Sequence, residues 1–151
     1  FSITAAGPTQ AAAVGRAFEF GALATAAQLV GAGQAMLDMT VEYAKQRSQF
    51  GRLIGSYQAI KHKLADVHIA LELARPPLYG AALTLDIRDV SAAKAAASDA
   101  ALLAARAALQ THGAIGYTAE HDLSQWLLRV QALRSAWGDP TFHRRRVLEW
   151  L

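Results

Sequence analysis

The sequence predicts an all-α fold, an antiparallel up-and-down four-helix bundle with a short extra C-terminal helix, and three observations carry that prediction. Apolar residues recur at three- and four-residue steps through most of the chain. No segment alternates apolar and polar residues with period two over the length of a strand. Proline and glycine cluster at a few places that cut the 151 residues into helix-length blocks.

Taken in order, residues 1–9 contain Gly7-Pro8 and read as a linker or the tail of something upstream. Residues 10–151 form the bundle domain. Phe1 rather than Met stands first, as in a fragment or a processed product. From Gln10 to about Arg47 there is no proline, and helix-compatible Ala, Leu and Gln dominate. Phe20, Leu23, Ala27, Val30, Leu37 and Val41 repeat as an amphipathic stripe, with Gln34 on it as a polar residue the fold must satisfy. At 1.5 Å per residue this helix is roughly 55 Å long, so it needs long partners.

Gly51 and Gly55 bracket a break, after which Ser56 is the expected N-cap of a second helix. Its apolar face carries Ile60, Leu64, Val67 and Leu71, with Lys61, Lys63 and Asp66 off that face. Pro76-Pro77 predicts a kink or short break, because proline lacks the amide donor and clashes with the preceding turn; helix then resumes to about Leu85. Asp86 to Val90 predicts a turn, and Ser91 the N-cap of an alanine-rich helix ending at Thr111. Small residues from Ala92 to Ala108 let helix axes approach closely, which suits the inside of a bundle. Gly113 to Thr118 reads as a loop. Helix returns at about Ala119, with Leu123, Trp126, Val130 and Leu133 in register, and stops at Gly138. Asp139 as N-cap and Pro140 at the first helical position open a last short helix to Leu151. There is no repeat of solenoid length.

Composition narrows the function. With 53% hydrophobic and 18% charged residues the chain is no disordered segment, and its length fits one domain. The absence of cysteine excludes a disulfide scaffold, a thiolate nucleophile and a cysteine-held metal. No apolar run approaching the ~20 residues of a membrane span is evident. Phe1 to Gln10 lacks the pattern of a signal peptide, so the expectation is a cytoplasmic domain with no membrane span. A net charge of +3 is a mild bias. Lys61-His62-Lys63 and Arg144-Arg145-Arg146 are basic, and Trp126, Trp137 and Trp150 offer rings for stacking. Three consecutive helical arginines point different ways, however, so no nucleic-acid stripe is expected. His62, His68, His112, His121 and His143 lack the Glu-x-x-His spacing of bundle metal sites, and adjacent Glu120 and His121 point apart; no metal is expected. Ser48, Ser56, Ser98, Ser124 and Ser135 sit in no nucleophile elbow. Glu19 and Glu42 lie too far apart on one helix to share a proton, and Asp86 and Asp89 flank a turn.

Two segments stand out. The first is Tyr43-Ala44-Lys45-Gln46-Arg47-Ser48-Gln49-Phe50-Gly51, continuing through Leu53-Ile54-Gly55 to Tyr57-Gln58-Ala59-Ile60. An arginine at a helix end beside a glycine-bounded turn is a good phosphate clamp, since guanidinium is planar and always charged. The second is Gln110-Thr111-His112-Gly113-Ala114-Ile115-Gly116-Tyr117-Thr118, followed by Glu120-His121-Asp122-Leu123. A glutamine before a glycine loop offers an amide and open backbone N–H groups to an oxygen-rich ligand.

In order and spacing, the two segments resemble the C-terminal helical domain of acyl-CoA dehydrogenases, over roughly Gln10 to Leu151. That resemblance implies a flavoprotein with two further domains, FAD shared between the subunits of a homo- or hetero-oligomer (dimer or tetramer), and oxidation of the Cα–Cβ bond of an acyl-CoA. It places Arg47 on the FAD pyrophosphate of a neighbouring subunit, with Gln49 and Phe50 beside it and Ile54 and Tyr57 lining the same surface. Gln110 and the Gly113-Ala114 loop would hold the adenosine side; the family has a second glycine where Ala114 stands. Most members carry the catalytic glutamate just before a glycine between the last two helices, where this chain has Trp137. A minority carry it on the first long helix, at the position of Gly21. Neither is a carboxylate, so no catalytic residue is assigned, and Glu19 and Asp139 are the nearest carboxylates to a relocated base. Three readings stay open: a base-lacking subunit beside a base-bearing partner, a dehydrogenase with a relocated base, and a non-enzymatic helical oligomerisation module. A chain matching only this domain would hold about half a cofactor site.

Overall fold

A computed structural model describes residues 7–117 and 122–149. Helix α1 runs Pro8–Gln46 and α2 Gln58–Thr84. Between them lies a minimal hairpin of β1 (Ser48–Gln49) and β2 (Arg52–Leu53), then a 3-10 turn, Ile54–Ser56. Helix α3 is Ile87–His112, continued by a second 3-10 turn at Gly113–Tyr117; α4 is Leu123–Ser135 and α5 Pro140–Leu148. The result is the expected all-α bundle. Helix α3 packs against all four other helices and forms its centre. Its buried face is mostly alanine (Ala93, Ala97, Ala100, Ala101, Ala104, Ala108), so α1 and α2 come close on either side.

Several boundaries differ from the sequence reading. Helix α1 starts at Pro8, the position where proline loses nothing, and the Gly7 N–H donates to Gln10 Oε1 at 3.1 Å. Its buried stripe is Ala22, Ala26, Leu29, Val30, Met36, Leu37 and Ala44, whereas Phe20 and Ala27 face out. Gln34 is satisfied as expected, donating to Asp38 Oδ1 and accepting from Arg75 Nη2. Residues 48–53 form a hairpin too short to show a period of two. Ser56 is not a cap: its hydroxyl donates to the Leu53 carbonyl, and Tyr57 precedes α2. Pro76 and Pro77 do not break α2. They strip partners from the carbonyls of Glu72 and Leu73, which lie on the exposed side where water can replace them. Flanking Ala74, Leu78 and Ala81 bury continuously. Asp86 takes the cap expected of Ser91, its carboxylate accepting from the Arg88 and Asp89 amides, so 87–90 are helix and Ser91 is buried inside α3. Leu85 closes α2 in the left-handed conformation.

The proposed start of the fourth helix at Ala119 lies outside the described residues; the helix is present from Leu123, with Leu123 and Val130 buried. Asp139 and Pro140 open α5 as the sequence reads, with Asp139 accepting from the Phe142 amide at 2.7 Å. The arginine triplet diverges: Arg144 pairs with Asp99 and Arg146 with Glu19, while Arg145 is exposed. One correction concerns membranes: Thr9–Gln46 is long and apolar enough to cross one by composition, with mean hydropathy 1.2 over its most apolar stretch. Half of that stretch is buried in the bundle, as in a core helix.

Candidate functional site

The two motifs meet at one end of the bundle. Helices α1 and α3 both finish there, and the Tyr43 and His112 rings stack at 4.3 Å between their last turns. Arg47 ends α1; its N–H donates to the Tyr43 carbonyl while its own carbonyl accepts from the Ile54 amide at 2.8 Å. That second bond closes the hairpin base and leaves the Arg47 side chain exposed. Phe50 and Gly51 make the two-residue hairpin loop, at φ 52° and 80°. Positive φ at both central positions matches the twist of a tight hairpin, but for phenylalanine it is a strained conformation. The Phe50 ring is 93% exposed at the tip. Phe50 and Arg47 are thus both exposed on this turn.

The turn is fixed behind this tip. The Tyr57 hydroxyl donates to the Gln49 carbonyl at 3.2 Å, and the Arg52 guanidinium lies 3.9 Å over the Tyr57 ring. Ile54 is half-buried under the turn. Gly55 is required by close approach: a Cβ there would sit 2.9 Å from the Ala44 carbonyl oxygen. On α3, Gln110 is exposed in the last turn, two residues before the end, and Gly113 leaves the helix at φ 65°. Gly113 and Ala114 are both exposed, and Ala114 has no positive φ that would demand glycine. The sequence-predicted contacts therefore gather on one outward-facing rim, with Arg47, Gln49 and Phe50 on one side and Gln110, Gly113 and Ala114 on the other.

A second site lies far along α1. Trp137, in the turn between α4 and α5, lies directly against Gly21: a Cβ on Gly21 would be 2.4 Å from both Cδ2 and Cε2 of the indole. The ring meets Phe18 edge-on, centroids 5.9 Å apart, and Phe18 meets Phe142 in the same way at 5.8 Å. Trp137 adopts φ 57° and Gly138 φ 96°. The nearest carboxylates are both engaged. Glu19 is buried and held by a forked pair with Arg146, in which Nη1 donates to Oε2 at 3.3 Å. Asp139 caps α5.

Sequence reasoning missed the residue that holds this turn. Lys94 is fully buried in α3, and its Nζ donates to the carbonyls of Leu133 (3.1 Å), Arg134 (3.2 Å) and Gly138 (3.2 Å). Leu133 and Arg134 lie in the last turn of α4, whose carbonyls have no helical donor, so a cation there satisfies them and meets the negative helix end. Burial, aided by the Arg134 charge and opposed by Asp139, lowers the Lys94 pKa to about 8. His143 Nε2 donates to the Trp137 carbonyl at 2.8 Å. Burial lowers the His143 pKa, that hydrogen bond opposes the shift, and Lys94 and Arg146 add to it. The signal was present in the sequence: Lys94 falls on the apolar stripe Val90, Ala97, Ala101, Ala104 and Ala108.

Residues 11–151 match the model of the acyl-CoA dehydrogenase C-terminal domain. The chain is 37% identical over 126 residues to the acyl-CoA dehydrogenase IpdE2 of Mycolicibacterium smegmatis, covering 83% of this chain and 40% of that protein. It superposes on a glutaryl-coenzyme A dehydrogenase with glutaryl-CoA at a TM-score of 0.88 and 28% identity, over 92% of this chain and 37% of that one. The ChsE4–ChsE5 complex of Mycobacterium tuberculosis gives a TM-score of 0.84 and 30% identity, over 95% of this chain and 40% of the other. The chain thus spans less than half the length of these relatives. With the helical fold, the two motifs and the family model in agreement, the chain belongs to the acyl-CoA dehydrogenase family, as its C-terminal domain.

Proposed function

We propose that this chain is the flavin-contacting domain of an acyl-CoA dehydrogenase subunit that lacks its own base and works beside a base-bearing partner in a hetero-oligomer. One observation carries the reading: Arg47, Gln49, Phe50, Gln110, Gly113 and Ala114, the residues expected to meet the cofactor, are all exposed, while the two positions at which the resemblance puts the family's base are Gly21 and Trp137, packed on each other. The substrate would be an acyl-CoA thioester and the cofactor FAD. Arg47 would neutralise the pyrophosphate as an exposed, permanently charged fork, with Gln49 and Phe50 beside it and Ile54 and Tyr57 backing the surface. Gln110, Gly113 and Ala114 would meet the adenosine end. Bound FAD would supply the acceptor for the β-hydride; the α-proton must go to a carboxylate, and among the described residues none is free at that place.

Distance supports sharing between subunits. About 39 Å of helix separates Gly21 from Arg47 at 1.5 Å per residue. A single dinucleotide, whose pyrophosphate and ring are joined by one ribityl chain, does not reach both, so the rim would serve a flavin belonging to another subunit's site. The engaged state of Glu19 and Asp139 argues against a relocated base. A cytoplasmic location goes with this reading. The test is native mass together with flavin absorbance of the intact parent protein, purified alone and co-expressed with a base-bearing paralogue. Flavin in a mixed oligomer is the expected result. A homo-oligomer that turns over acyl-CoA would restore the relocated base, and no flavin in either sample would leave a helical oligomerisation module.

A further inference from the structure

We propose that the Trp137 indole is a plug: beyond lacking a base, this subunit closes the acyl end of its own site, so acyl chains are turned away from it. The inference rests on the proposed dehydrogenase reading for where an acyl chain would lie. The geometry is independent of that reading. Gly21 and Trp137 are distant in sequence yet in contact, and a Cβ at Gly21 would fall within 2.4–2.7 Å of three ring atoms. The indole therefore fills the volume that a side chain from either position would need. It is no loose surface ring. The Trp137 carbonyl is held by His143 Nε2 and the Gly138 carbonyl by Lys94 Nζ, so the backbone is pinned at Trp137 and at the residue after it. Phe18 packs edge-on against the indole, and Arg146 lies over both Phe18 and Phe142 at 5.3 and 5.5 Å from their centroids. Gly138 adds a further constraint, because a Cβ there would meet Phe142 and His143 at under 3 Å.

Trp137 as a residue nevertheless remains 47% exposed. A residue covered on one side by Gly21 and Phe18 and open on the other stands over that surface without becoming part of the core. A missing base would slow chemistry but leave acyl-CoA binding intact; a plug removes binding as well. The two therefore predict different equilibria.

The experiment is calorimetric titration of butyryl-, octanoyl- and palmitoyl-CoA into the full protein in its native assembly, as wild type, Trp137→Ala, Trp137→Glu and Trp137→Phe. The flavin band and melting curve of each sample are recorded alongside. Trp137→Ala and Trp137→Glu are expected to gain an acyl-CoA site on each chain that wild type lacks, with Trp137→Phe staying closed because its ring still covers Gly21. The glutamate variant guards against a folding defect peculiar to alanine. Equal binding by wild type and by either folded open variant overturns the plug, as does loss of melting temperature without any gain in binding. Calorimetry needs no flavin. Absence of the flavin band with a gain in binding would therefore sink the dehydrogenase reading and leave the plug standing.

Discussion

Replacing Lys94 with methionine tests the tie that holds the α4–α5 turn. Methionine matches the stem of the side chain but donates nothing, so three carbonyls lose their donor at once. Stranding a buried acceptor costs about 1–3 kcal/mol. The variant also escapes the penalty of a buried ammonium, and a pKa lowered from 10.5 to about 8 puts that near 3 kcal/mol. The net loss near neutral pH is then about 3 kcal/mol, which for a domain of this size lowers the melting temperature by roughly 10 °C. The pH dependence is the sharper test. Below about pH 8 Lys94 is protonated in both states and the full penalty is present. Between there and the unfolded value of 10.5 the native state has lost a proton that the unfolded chain still binds, so wild-type stability rises with pH. By about pH 9.5 the gain is about 2 kcal/mol, and Lys94→Met lacks it. Groups away from Lys94 contribute equally to both proteins and cancel, and His143, whose pKa Lys94 helps to lower, stays neutral throughout the alkaline range. Urea unfolding followed by circular dichroism at neutral and alkaline pH measures this. A wild-type-minus-variant difference that stays flat with pH would refute the lowered pKa, and a variant as stable as wild type at both would refute the tie.

Two further outcomes follow from the rim. Arg47→Ala in the intact parent protein is expected to weaken FAD retention without changing the melting temperature of the bundle, because its side chain is exposed; unchanged flavin occupancy after gel filtration would remove the pyrophosphate role. Gly55→Ala is expected to cost about 1–3 kcal/mol, since its methyl meets the Ala44 carbonyl at 2.9 Å and must push the turn off α1. It should lower flavin retention in parallel, and a neutral effect on unfolding would show that the turn has room.

What the sequence revealed was local. The α2 face through Val67 and Leu71 and the Asp139-Pro140 start of α5 follow from periodicity and capping chemistry, and both are in the fold. The phase of α1 was harder to read, because an alanine-rich helix offers little contrast between faces; Ala22 and Ala26 are buried while Phe20 is not. Asp86 and Ser91 are both able caps, and only the backbone dihedral at Asp86 decides between them. Pro76-Pro77 misled because intrinsic helix breaking is outweighed by burial on either side. At the site, the motifs named the rim residues but not their surroundings. The Tyr43–His112 stack, the Lys94 tie and the Gly21–Trp137 contact are long-range packing events, which spacing along one helix cannot encode. Lys94 alone left a trace, as a charge on an otherwise apolar stripe.

Whether this subunit can abstract a proton is the central question. The decisive measurement is the flavin band of the parent protein, purified without any partner, supplied with FAD and challenged anaerobically with acyl-CoA thioesters of several chain lengths. The account predicts that the band does not bleach with any of them. Bleaching would mean that a base on this chain accepts the α-proton, and would contradict the assignment of Gly21 and Trp137 as a closed, base-free site.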